Sequence, residues 1–274
     1  MKLAISNIAW DPKQRIEIYQ LLKKEKFKGI EIAPMLFLFD EKNFLKPNKK
    51  NYKKKIFELK KFNLKIISMQ SLLYNSENCD LFKGERNRKN FIARMTKIIN
   101  LAGILKIPNL VFGSPKNRVI PQNMDYMSAE KVAVKVFRKL GKIAKKNNTY
   151  ISIESNPKVY GTNFLNNIYQ TYNFVKKVNS KNIRIILDTG ELVINKELKD
   201  LKKILEKIKK FINHVHISQP FLKPINNEYL LKNIFKELKK LKYAGWISIE
   251  MKKPDFNNYK KILNSIKKVK KFSI

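Results

Sequence analysis

Short apolar, β-branched runs alternate with longer amphipathic runs from one end of the chain to the other. Eight runs read as strands, at residues 2–9, 28–33, 64–70, 109–114, 149–154, 183–188, 214–218 and 246–250. Each is followed by a pattern with apolar residues at helical spacing, at 14–26, 51–62, 88–105, 129–146, 163–178, 196–211, 227–241 and 258–272. Strands that alternate with helices pair in parallel through right-handed crossovers. Eight such units close into a (β/α)8 barrel, a fold of about 250 residues. An open doubly wound sheet would carry a Gly-rich first turn. Here that turn is IAWDPKQ, and the chain has only eight glycines. No linker or shift in composition divides the sequence, so the expectation is an α/β fold with one (β/α)8 TIM-barrel domain over residues 1–274.

Composition changes this picture little. The net charge of +37 invites a nucleic-acid partner. However, only seven of the 59 basic residues are arginine, and the lysines crowd helical runs such as ELKDLKKILEKIKKF. That is a solvated outer face whose lysine stems lie along the apolar stripe. The chain is also rich in Asn and Ile, as AT-biased coding gives. We read the charge as solvation, with no nucleic-acid partner. No apolar run approaches the roughly 20 residues that span a bilayer, so no membrane association is expected. MKLAISNIAW is a poor signal peptide. A single cysteine, Cys79, excludes a disulfide framework and a Cys-based zinc site. The expected location is cytoplasmic.

Chemistry gathers at the strand ends, where barrels of this type carry their sites. Glu154 closes TYISIE, Asp188 closes IRIILD, His216 lies in HVHIS and Glu250 closes WISIE. Their separations of 34, 28 and 34 residues are each about one βα unit. Taken singly, such residues read as helix caps, turn residues or a hydrogen-bonded core histidine. In register on four consecutive strands they read as ligands for one divalent metal ion. Oxygen-rich ligands with one imidazole suit Mn2+, Mg2+ or Co2+, and Zn2+ is compatible. The chain's only other histidine, His214, has the same strand parity. It is expected to face inward one layer below and to support the ligand.

The stretches GIEIAP, MQSLLY, VFGSPKNR, IESNPKVYGTNF, LDTG, HVHISQP and ISIEM, in this order across the barrel, resemble the xylose-isomerase-like TIM-barrel superfamily of sugar-phosphate isomerases and epimerases. The resemblance implies Glu154, Asp188, His216 and Glu250 as metal ligands, with Glu154 and Glu250 as the acid–base pair. It implies an isomerase or epimerase that works on a sugar, sugar phosphate or related hydroxy-carbonyl compound through a metal-stabilised enediolate. The partner is then a small-molecule carbohydrate, an anionic one included, and since barrels of this family often pair, a homo-oligomer is a further expectation. Two departures stand out: Glu191 in LDTGE where relatives carry His, and Gln219 in HISQP where relatives carry Glu. Glu191 therefore joins the substrate-binding candidates, with Glu31 and Gln70 at strand ends two and three, Lys116 and Arg118 after strand four, and Lys223 after strand seven. Trp10 and Phe221 are weaker candidates for walling a sugar face. The alternatives are a metal-dependent dehydratase of a polyhydroxy ketone, a DNA-repair endonuclease of the AP-endonuclease type, and a non-catalytic barrel. Two histidines are too few for the endonuclease branch's trinuclear zinc site.

Overall fold

A computed structural model describes residues 1–273. Eight strands form where the apolar runs predict them: β1 (Lys2–Ser6), β2 (Gly29–Ile32), β3 (Lys65–Met69), β4 (Asn109–Phe112), β5 (Tyr150–Ile153), β6 (Ile183–Asp188), β7 (Ile212–Ile217) and β8 (Trp246–Ile249). They close in sequence order into one parallel barrel, a (β/α)8 TIM barrel. Strands of a parallel sheet are covered on both faces, which is why these segments are nearly continuous in Ile, Val and Leu.

Among the described residues ten α-helices accompany the strands, where the periodicity predicts eight: α1 (Arg15–Lys24), α2 (Pro34–Phe37), α3 (Lys49–Lys61), α4 (Gly84–Leu105), α5 (Tyr126–Lys146), α6 (Ile168–Val178), α7 (Thr189–Ile194), α8 (Leu201–Ile208), α9 (Glu228–Lys240) and α10 (Asn258–Ser273). The two extra ones, α2 and α7, have four and six residues and follow closely on β2 and β6, too short to leave a periodic trace. Helix α8 shows the amphipathic pattern: Leu201, Ile204, Leu205 and Ile208 are buried and its lysines are outside. The abundant asparagines have a structural use, for Asn48, Asn167 and Asn227 cap α3, α6 and α9 by accepting from backbone N–H groups. Strand β4 stops two residues short of its apolar run because Ser114 turns away in the left-handed region, with φ 45°.

Internal packing divides the chain into two compact units, residues 1–68, 187–210 and 214–274, and residues 69–186 and 211–213. In the first, β7 pairs with β8, β8 with β1 and β1 with β2, so that His214 sits opposite Trp246 and His216 opposite Ser248. Gly29 is required here, because a Cβ on it would lie 2.7 Å from the Trp246 ring and 3.0 Å from Ile67. The second unit runs from Met69, paired with Leu110, through β4 and β5 to β6. Its core is a chain of edge-to-face rings, in which Phe137 meets Phe91, Phe112 and Phe174 with centroids 5.0–6.4 Å apart. Truncating Phe137 to Ala should therefore cost about 3–5 kcal/mol, measured as a lower midpoint at unchanged slope in guanidinium unfolding.

Candidate metal centre

The first unit gathers Glu31, Asp188, His214, His216 and Glu250 at the barrel interior. His216 and Glu31 are fully buried, and Asp188 and Glu250 are less than a tenth exposed. The Nε2 of His216 lies 2.8 Å from Glu31 Oε1, and its Nδ1 lies 3.1 Å from Glu250 Oε2 and 3.8 Å from Asp188 Oδ2. The Nε2 of His214 lies 3.1 Å from the second Glu31 oxygen. One carboxylate thus bridges both histidines. Burial alone would raise the Glu31 pKa, but the two imidazoles beside it, His216 first, outweigh that and hold the carboxyl well below the usual range.

The Asp188 carboxylate is fixed from two sides. It caps α7, Oδ1 accepting from the Glu191 amide at 2.8 Å, while Oδ2 accepts from the Ser218 hydroxyl at 2.6 Å. Ser218 also accepts from the Gly190 amide at 2.8 Å, and its own backbone N–H and C=O bond the Thr189 hydroxyl at 2.9 and 2.8 Å. This clasp joins LDTG to HIS and explains the glycine, since a Cβ at Gly190 would meet Ser218 Oγ at 2.7 Å and the Gln219 backbone at 2.9 Å. The β7–β8 ladder runs on to Glu250, whose amide donates to the Ile217 carbonyl at 2.9 Å. Asp188, His216 and Glu250 offer ligand atoms within 4.8 Å of one another. Two carboxylates and an imidazole nitrogen shielded from water are a donor set that fits a divalent cation.

In the second unit Glu154 follows β5, its amide donating to the Phe112 carbonyl at 3.1 Å. Its Oε2 accepts from the Asn156 amide at 3.3 Å and lies against Gly113, where any side chain would collide with it. Glu154 lines a cavity of about 680 Å3 together with Gln70, Ser71, Tyr74, Ser114 and Lys116. Gln70 is buried and Lys116 exposed at the edge, so the cations of GSPKNR separate: Arg118 is entirely buried, its guanidinium 5.8 Å from the Phe112 ring. Arg118 is not a solvated loop residue.

The remaining candidates scatter. Glu191 is buried in the first turn of α7, and Lys223 is exposed after the turn Pro220–Leu222. Gln219 donates to the Pro224 carbonyl at 2.6 Å and so braces this loop. Phe221, half-exposed, has a left-handed backbone with φ 61°, whereas Trp10 is buried. Sequence reasoning passed over Ser218, Asn156 and Tyr74. All three stand within the motifs above, yet a serine or asparagine near a ligand carries no periodic signal. Tyr74 is 60% exposed, on an irregular loop.

The xylose isomerase-like TIM barrel family model matches residues 19–271. The chain belongs to that family. Among solved structures it is similar to 3-keto-D-glucoside 4-epimerase from E. coli, with a TM-score of 0.80 and 17% identity over 99% of both chains. It is similar to D-psicose 3-epimerase from Clostridium cellulolyticum, solved with D-tagatose, with a TM-score of 0.76 and 16% identity over 99% of this chain and 96% of that one. The IolI protein with a bound zinc atom matches at a TM-score of 0.69 and 20% identity over 100% of this chain and 96% of that one. No curated protein sequence matches. Among the described residues no helix is long and apolar enough to cross a membrane.

Removing the clasp hydroxyl leaves Asp188 and the Gly190 amide each short of a buried partner. Ser218→Ala should destabilise the fold by about 1–3 kcal/mol, and urea unfolding reads this directly.

Proposed function

We propose that the chain is a divalent-metal-dependent epimerase or isomerase acting on a sugar, sugar phosphate or related hydroxy-carbonyl compound. Glu154, Asp188, His216 and Glu250 hold the cation, and Glu154 and Glu250 are the acid–base pair. The observation that carries this reading is that Asp188, His216 and Glu250 offer ligand atoms within 4.8 Å of one another. With Glu154, each follows or ends its own strand in the run β5 to β8, the ends where barrels of this fold keep their chemistry. The relatives add support, since two are sugar epimerases and one binds zinc.

A bound divalent cation supplies Lewis-acid neutralisation of the oxygen charge that develops when the carbon next to a carbonyl loses its proton. The rest is the work of side chains. Glu154, steadied by the Asn156 amide, stands at the wall of the cavity and takes the proton from one face of that carbon. Glu250 delivers a proton from the other face, which inverts the centre. The Ser218 hydroxyl and the Glu191 amide keep Asp188 from rotating. Gln70 and Ser71 line the cavity near Glu154 and offer groups to sugar hydroxyls. Lys116 on the edge suits an anionic substituent.

Two measurements test this. Metal analysis of purified protein soaked in Mn2+, Co2+ or Zn2+ should give about one ion per chain, lost in His216→Ala and Glu250→Ala with the circular dichroism unchanged. Incubation with ketoses and their phosphates in deuterated water should place deuterium next to the carbonyl, in a product otherwise of unchanged mass. Glu154→Gln and Glu250→Gln should slow this exchange by about 10²–10⁴-fold. A wild type that takes up no divalent ion would overturn the reading, and a product that has lost water would make the chain a dehydratase.

A further inference from the structure

Glu31 lies on β2, in the same unit as Asp188, His216 and Glu250. It is fully buried, and such a carboxylate is retained only where charged or polar partners compensate its burial. The chain's only two histidines both approach it through Nε2, at 2.8 and 3.1 Å. An ionised carboxylate only accepts hydrogen bonds, so the His216 Nε2 bonded to it carries the proton. For His216 this has a consequence at the other side of the ring. With Nε2 protonated and bonded to Glu31, Nδ1 is the nitrogen presented to Asp188 and Glu250, 3.8 and 3.1 Å away.

The geometry points to Glu31 as a positioning residue that fixes the tautomer and ring angle of His216 so that Nδ1, not Nε2, is the nitrogen given to the metal. This inference rests on the metal site proposed above. His214 completes the arrangement. Its Nε2 lies 3.1 Å from the second Glu31 oxygen, and the T-shaped contact of the two imidazoles, centroids 5.3 Å apart, sets the spacing. The arrangement also explains why the motif is HVH: alternate residues of a strand face the same side, so one carboxylate on β2 reaches both rings. Glu31 is thus a support for a ligand, where sequence alone suggested a contact to substrate hydroxyls.

Two histidines make the test direct, because a long-range proton–nitrogen imidazole spectrum contains two ring systems, and His214→Phe assigns them. The spectrum is recorded on the full chain, metal-free and loaded with Zn2+. The expected result is a proton on Nε2 of His216 in both states, with Nδ1 as the nitrogen shifted by zinc. A bare Nε2 in either state, or zinc on Nε2, overturns the proposal. Glu31→Gln should weaken zinc binding about 10–100-fold by titration calorimetry while the His216 nitrogen pattern changes. Unchanged affinity in a folded Glu31→Gln protein also overturns it. If that variant does not fold, the wild-type spectra still decide. If wild type binds no zinc, the metal reading fails, while the metal-free spectrum still tests whether Glu31 sets the tautomer.

Discussion

The proposed chemistry of this barrel depends on one imidazole ring buried among carboxylates. His216 has no access to water, Glu31 at one nitrogen and Glu250 and Asp188 at the other. Several acidic groups out of water around one ring are costly unless positive charge joins them. A divalent cation on the Nδ1 side would satisfy that demand, and the proposed function rests on this constraint. The neighbouring architecture keeps the carboxylates where they are: the Ser218 clasp for Asp188, the ladder bond from Glu250 to Ile217, and the two imidazoles for Glu31.

The scaffold supplies position and little else. Parallel strands deliver their last residues to one end, so a single side chain per strand makes a polar cluster without disturbing the apolar layers beneath. The local devices are small residues. Gly190 lets the Ser218 hydroxyl approach, and Gly113 leaves room for the Glu154 carboxylate. The loop after β7 has another kind of device: Phe221 and Leu222 both take left-handed backbone angles, held by the Gln219 bond to Pro224 and by the Lys252 amide on the Leu222 carbonyl. Such angles cost of order 1–3 kcal/mol each, and these bonds offset them.

The barrel was legible because alternation of apolar runs with amphipathic ones is a long-range, repeated signal. Eight strands fell where the runs predicted, and the misses were local. Helices α2 and α7 are too short to show a period, and β4 ended early at a left-handed serine that no propensity announces. The ionisable strand ends at 154, 188, 216 and 250 could be read because a strand end is a position that sequence marks. Burial of a charge could not. Arg118 in a loop motif resembles a solvated cation, yet it is buried against Phe112. Glu31 resembles a substrate contact, yet it faces both histidines across 183 and 185 residues of chain. Pairings at such separations follow from closure of the barrel, which spacing does not encode.

The claim that a cation completes the His216 cluster is tested most directly by thermal unfolding of chelator-treated protein with and without Mn2+ or Zn2+. An ion at a hundred times its dissociation constant stabilises the folded state by about 2.7 kcal/mol. That is a rise of about 5–10 °C for a chain of this size. The account predicts this rise in the wild type and its loss in Asp188→Asn and His216→Ala. A midpoint that does not move in the wild type, or that moves equally in the two variants, would contradict it.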